Sequence, residues 1–227
     1  MRKDLTGYSL ITGPTIFILF TTIAMIIYRA GNPIDDSSLT YSFYYNFFSD
    51  LGMMGSFHEG NNSPVYIFFI IALVAMSILV IPFFLFMINY FKETNQKQYL
   101  ILSIFGSIFG IIAVVSYIGV ALTPWDLQLA IHMQFVYSAF IFILPTSLIY
   151  TYILLKNQNV FPSYMGYTFL IFLILAVFYL ILLLYGPPRN VSTGRIIQAV
   201  GQKIIVYSEI STFLIQGIGL LKLKNSR

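Results

Sequence analysis

The chain has no cysteine, one tryptophan and two histidines, and only 9% of its 227 residues are charged. Without cysteine there can be no disulfide, no thiolate nucleophile and no thiolate-held metal. Zinc sites usually draw three ligands from the protein, so two histidines exclude a three-histidine centre within one chain. Two histidines plus a carboxylate stay open, although His58 sits in a Gly-, Ser- and Asn-rich stretch. Soluble domains carry about a quarter charged residues. The low charge here, with 58% hydrophobic residues and a mean hydropathy of +0.84, excludes that class. The net charge of +4 is spread over chain ends and short loops, which gives no footprint for nucleic acid.

What the chain does contain is six long apolar runs, at about 8–28, 65–91, 99–122, 128–155, 161–186 and 196–222. A helix needs roughly 20 apolar residues to cross about 30 Å of hydrocarbon, and the runs show no two-residue alternation of the barrel type. The expected class is therefore all-α: one domain over 1–227, a polytopic bundle of six transmembrane helices. Met1-Arg2-Lys3 before an apolar run imitates a signal peptide. The run from Ser9 to Tyr28 is too long for one and lacks a small-x-small cleavage site, so it reads as a retained first span.

Lysine and arginine set the orientation. Arg2, Lys3, Lys92, Lys97, Lys156, Lys222, Lys224 and Arg227 fall on one side; Arg29, Arg189 and Arg195 fall on the other, with Lys203 inside the sixth run. The positive-inside bias then predicts cytoplasmic termini in a multi-pass protein of the cell membrane. Polar groups concentrate on the outer connections: Asn46, Ser49, Asp50, His58 and Glu59, then Asp126 and His132, then Arg189, Arg195, Gln198, Gln202 and Lys203. In the one long loop, 29–64, the stretch from Tyr41 to Phe48 is too aromatic for a free loop. It is expected to lie on the bundle as an interfacial helix or a lid. Asn61-Asn62-Ser63 and Asn190-Val191-Ser192 match the glycosylation sequon at a level chance supplies.

In the sixth run Arg195, Gln198, Gln202, Glu209, Thr212 and Gln216 recur at helical spacings and form one stripe. A carboxyl near mid-membrane costs a few kcal/mol, so Glu209 must face the bundle, either as a functional group or as a packing contact to Ser, Thr or Tyr. Thr123, Pro124 and Asp126 read as N-cap, N1 and N3 of the fourth helix. His132, two turns on, is expected just below the outer interface, as a base, a ligand or a polar contact. Ser49 or Asp50 can cap the second helix, with Gly52 in a tight turn. No serine lies in a nucleophile elbow. Gly106 and Gly110 give the third run a small face, for the bundle or for a dimer. Pro14, Pro82 and Pro145 can kink their helices.

Asn46-Phe47-Phe48-Ser49-Asp50-Leu51-Gly52 before the second run, and Thr123-Pro124-Trp125-Asp126 with His132, resemble a family of prokaryotic six-span membrane proteins catalogued as domain of unknown function 998. That family has Ser-(acid)-Leu-Gly before its second span and Pro-x-Asp, then His, entering its fourth. The resemblance covers about 40–155 and is weaker in the sixth span. The layout is more distantly similar to the eukaryotic six-span autophagy modulators and glycolipid-anchor remodelling proteins. The resemblance implies six helices and an outer site of Ser49, Asp50, Asp126 and His132, with Trp125 a departure at the pocket rim; it implies no activity.

These readings predict a pocket between the second, fourth and sixth helices with Glu209 as its floor. Its candidate ligand-binding residues are Ser49, Asp50, Asp126, His132, Arg195, Gln198, Gln202 and Glu209. The expected occupant is a lipid headgroup or small ligand, with no cofactor or metal. The alternatives are an intramembrane hydrolase or lipid-modifying enzyme using Asp50, Asp126 and His132; a proton-coupled carrier using Glu209; and an accessory subunit. The expected partners are the bilayer, that ligand, and either further copies of the chain or a larger membrane complex.

Overall fold

The computed structural model describes residues 3–58 and 62–223, and Glu59, the Asn61 sequon position and the terminal bases Arg2, Lys224 and Arg227 fall outside this range. Six helices account for most of the chain: α1 Lys3–Ile27, α2 Ser63–Glu93, α3 Lys97–Leu122, α4 Trp125–Lys156, α5 Ser163–Tyr185 and α6 Ser192–Lys222. All six are long and apolar enough to cross a membrane. The all-α six-span expectation holds.

Each helix packs mainly on its chain neighbours, and α1 also packs on α6, so the six close into a ring. The Lys3 ammonium donates to the Leu223 carbonyl, which joins both chain ends at one end of the ring. From α2 to α6 the connections are short and produce this order, because a short link leaves consecutive helices antiparallel and adjacent. At the end near the termini the ring is filled by aromatics. Phe83 packs edge-on against Phe84, Tyr150 and Phe213, with centroids 5.0–6.2 Å apart.

Polar side chains fasten neighbours in this end. Ser107 donates to the Phe84 carbonyl (3.2 Å) and shares a hydrogen bond with Tyr150 (2.8 Å), which ties α3 to α2 and α4. Gln216 donates to the Met165 carbonyl and the Thr168 hydroxyl, both at 2.9 Å, and ties α6 to α5. Gly110 faces Phe84 so closely that a Cβ there would lie 2.3 Å from the ring. The small face of α3 is thus used within the bundle. Its partners are Phe84 of α2 at Gly110 and Ile149 of α4 at Gly106.

Two local expectations are corrected. Asp126 does not cap its own helix: Pro124 is the N-cap residue of α4 and provides no side-chain cap, while the Thr123 hydroxyl turns back to the Gly119 carbonyl at 2.8 Å. The interior break in α4 falls at Gln128 (φ −137°, ψ 48°), far from Pro145. Nor does Ser49 or Asp50 cap α2. Both lie in a separate short 3-10 helix, Phe48–Gly52, and Asn62 stands at the N-cap of α2.

The long loop folds over the other end of the ring as a lid. Its 3-10 helix packs mainly on α1, α2, α4 and α6. Gly31 adopts φ 71°, a left-handed conformation that favours glycine, where a Cβ would also sit 2.5 Å from the His58 ring. That turn lets the Gly31 carbonyl accept from both Tyr28 Oη (3.0 Å) and Asn46 Nδ2 (2.9 Å).

Candidate functional site: a cavity under the lid

Beneath the lid the ring encloses a cavity of about 290 Å³. All six helices and the lid contribute to its wall. Its sides are apolar, formed by residues such as Phe17, Leu73, Val114, Val136 and Val206, and its lid end is polar. Small-ligand pockets have this character: a mostly apolar wall, a few placed polar groups, and volumes from roughly 300 Å³ upward.

The polar end is organised by Asp50 and Arg195. Arg195 Nη2 donates to Asp50 Oδ2 at 2.8 Å in a pair that is almost completely buried. The same oxygen accepts from the Phe47 amide (2.9 Å) and Asn46 Nδ2 (3.2 Å), while Arg195 Nε donates to the Tyr45 carbonyl (2.6 Å). Burial pushes the Asp50 carboxyl above its ordinary pKa, and the Arg195 guanidinium, the Phe47 amide, Asn46 and Lys203 pull the other way. Phe47 lies under two guanidiniums, 4.5 Å from Arg195 and 5.4 Å from Arg189. Lys203, 1% exposed, donates to the Asn46 carbonyl and faces the rings of Phe43 (4.9 Å), Tyr41 (5.6 Å) and Phe48 (5.8 Å). Gln202 Oε1 accepts from the Phe48 amide at 2.7 Å. Three α6 side chains therefore hold the lid down.

The cavity brings together Ser49, Asp50, His132, Arg195, Gln202 and Glu209; Asp126 and Gln198 stand outside its wall. Asp126 instead fixes the descending arm of the lid, accepting from the Met54 amide (3.1 and 3.2 Å) and the Gly55 amide (2.8 Å). Gln198 Oε1 accepts from Arg189 Nε (2.7 Å) and its Nε2 donates to the Pro187 carbonyl (2.6 Å), so it aims Arg189 at the cavity mouth.

His132 Nδ1 lies 2.7 Å from the Thr123 carbonyl at the C-terminal end of α3. A carbonyl can only accept, so Nδ1 carries the proton and a neutral ring leaves Nε2 as an acceptor. Glu209 Oε2 accepts from the Tyr117 hydroxyl at 2.8 Å. Glu209 is not the floor. Phe213, one turn further along α6, together with Phe84 and Ile143 continues the cavity beyond it. The predicted α6 stripe is accordingly divided, since Thr212 and Gln216 bond to α5 instead of lining the space.

Neither Asp50 nor Asp126 bonds His132, and among the described residues no three His, Asp or Glu side chains stand close enough to hold a metal ion. Trp125 does reach the wall and packs on Phe57 of the lid, with centroids 5.8 Å apart. Sequence reasoning left four contributors off the candidate list. Arg189, Asn46 and Lys203 were visible only as members of the outer polar set, and Tyr117 is hidden in an apolar run with nothing to mark it. No family model, curated protein or solved structure matches the chain.

Proposed function

We propose that this protein binds a membrane amphiphile, with the apolar tail inside the ring and the polar head under the lid. The cavity is the observation that carries the reading: about 290 Å³, with a mostly apolar wall, its charged groups gathered at the lid end, and Glu209 with Tyr117 as a polar pair partway down. A purely polar ligand would leave the Phe, Val and Leu wall wetted, and a purely apolar one would leave the Arg189 terminal nitrogens and the Ser49 hydroxyl unpaired. The lysine and arginine distribution supports a cell-membrane orientation with the lid outside and both termini in the cytoplasm. Binding is favoured over hydrolysis because, among the described residues, Ser49 has no basic partner. Its hydroxyl makes no hydrogen bond with His132, and both nearby carboxylates are committed to the lid.

The test is native mass spectrometry of the full chain released from a mild detergent. Retention of a lipid adduct that survives exchange of the surrounding detergent is expected. A chain that sheds all lipid at the first exchange would remove the basis for this reading.

A further inference from the structure

Three features near the mouth concern which amphiphile is bound and how it arrives. The first is charge. Arg195 is neutralised by Asp50, whereas Arg189 has no carboxylate partner among the described residues. Its Nε is fixed by Gln198, its ring contact is Phe47, and it lines the cavity. The two terminal nitrogens of its guanidinium bond no described residue. Close by on the wall, the Ser49 hydroxyl is also without a described partner, while the Gln202 amide is taken up by the Phe48 amide and the Tyr179 hydroxyl. A forked cation with two unused donors suits a carboxylate or phosphate.

The second feature is the reach of the lid. Its 3-10 helix rests mainly on α1, α2, α4 and α6, and neither α3 nor α5 is among its main supports. The third is the start of α4. Residues 127–131 are all exposed, the helix breaks at Gln128, and Leu129 is 55% exposed while also lining the cavity. Leu183 of α5 lines the same space. A residue that belongs both to the outer surface and to the cavity wall marks where the two connect, and here the outer surface is apolar.

We infer that the site takes an anionic lipid, which enters sideways from the bilayer between the lid ends of α4 and α5 and places its phosphate or carboxylate on Arg189. This rests on the amphiphile reading and adds the headgroup charge and the route. A water-soluble anion would offer the same headgroup chemistry without the tail, so the experiment includes both sources.

Full-length protein stripped of lipid by detergent exchange is incubated with phosphatidylcholine vesicles, with phosphatidylcholine–phosphatidylglycerol vesicles, or with glycerol phosphate in buffer, and bound species are read by native mass spectrometry. Phosphatidylglycerol is expected to be retained about tenfold over phosphatidylcholine, as one charge-assisted contact allows. R189Q should lose that preference and R189K should keep part of it. Glycerol phosphate should not displace the lipid. Because the chain has no cysteine, L129C can be labelled alone with a bulky methanethiosulfonate; lipid uptake should slow, then recover when reductant removes the label. Recovery also shows that the variant is folded. Equal retention of the two lipids, unchanged preference in R189Q, displacement by glycerol phosphate, or uptake indifferent to the label would each overturn the inference while leaving the amphiphile reading standing. Absence of any bound lipid in every arm would instead remove the reading beneath it.

Discussion

Arg195 and Asp50 are buried together, and removing one partner leaves the other charge without its counter-charge in a largely apolar surrounding. D50N should therefore cost about 3–5 kcal/mol, the usual result of breaking a buried pair from one side, read as a lowered thermal midpoint in detergent. A D50N midpoint equal to that of the parent would mean that the pair does not hold the lid. Lys203 makes the same argument without a carboxylate. K203M removes its bond to the Asn46 carbonyl and three ring contacts, and should cost about 1–3 kcal/mol, with Phe43 and Tyr44 becoming more accessible to surface labelling. Glu209 behaves differently because it supports no lid contact. E209Q keeps an oxygen for the Tyr117 hydroxyl, so the midpoint should move by no more than the worth of one hydrogen bond, about 1 kcal/mol. At this scale the sequence was informative about which groups matter and silent about what they touch. Asp126 looked like a helix cap because Thr-Pro-x-Asp has that spacing; its partners, the Met54 and Gly55 amides, lie some 70 positions away and only the folded lid brings them near.

Among the elements, the helices were legible because each is a long apolar run, and run length depends on nothing beyond the segment itself. The lid was legible only in part. The density of Tyr and Phe between 41 and 48 pointed to an interfacial helix or a lid lying on the bundle, but its path depends on Gly31, Asn46 and α6 acting together. The α3 glycines could equally have served a dimer, and the neighbouring Phe84 settles their use within the bundle. G110A should cost about 1–3 kcal/mol through overpacking against that ring, and F84L in the same chain should restore much of the loss. If G110A were neutral and F84L brought no gain, the α2–α3 contact would not be as close as 2.3 Å implies.

For the whole molecule, a six-helix ring closed by α1 on α6 is too wide to be filled by its own side chains at both ends. The end near the termini is packed with Phe83, Phe84, Tyr150, Phe169 and Phe213, and the lid end keeps the cavity. Composition indicated a membrane protein, but a vacancy is a property of how six faces meet and no single run records it. The central claim is that this space holds an amphiphile. A cryo-electron microscopy map of the full chain in a lipid nanodisc tests it most directly. The account predicts elongated density running from Arg189 past Val136 and Val206 toward Phe213, with its broader end under the lid. A cavity closed by inward movement of the helices, or one holding only separated water peaks, would contradict it.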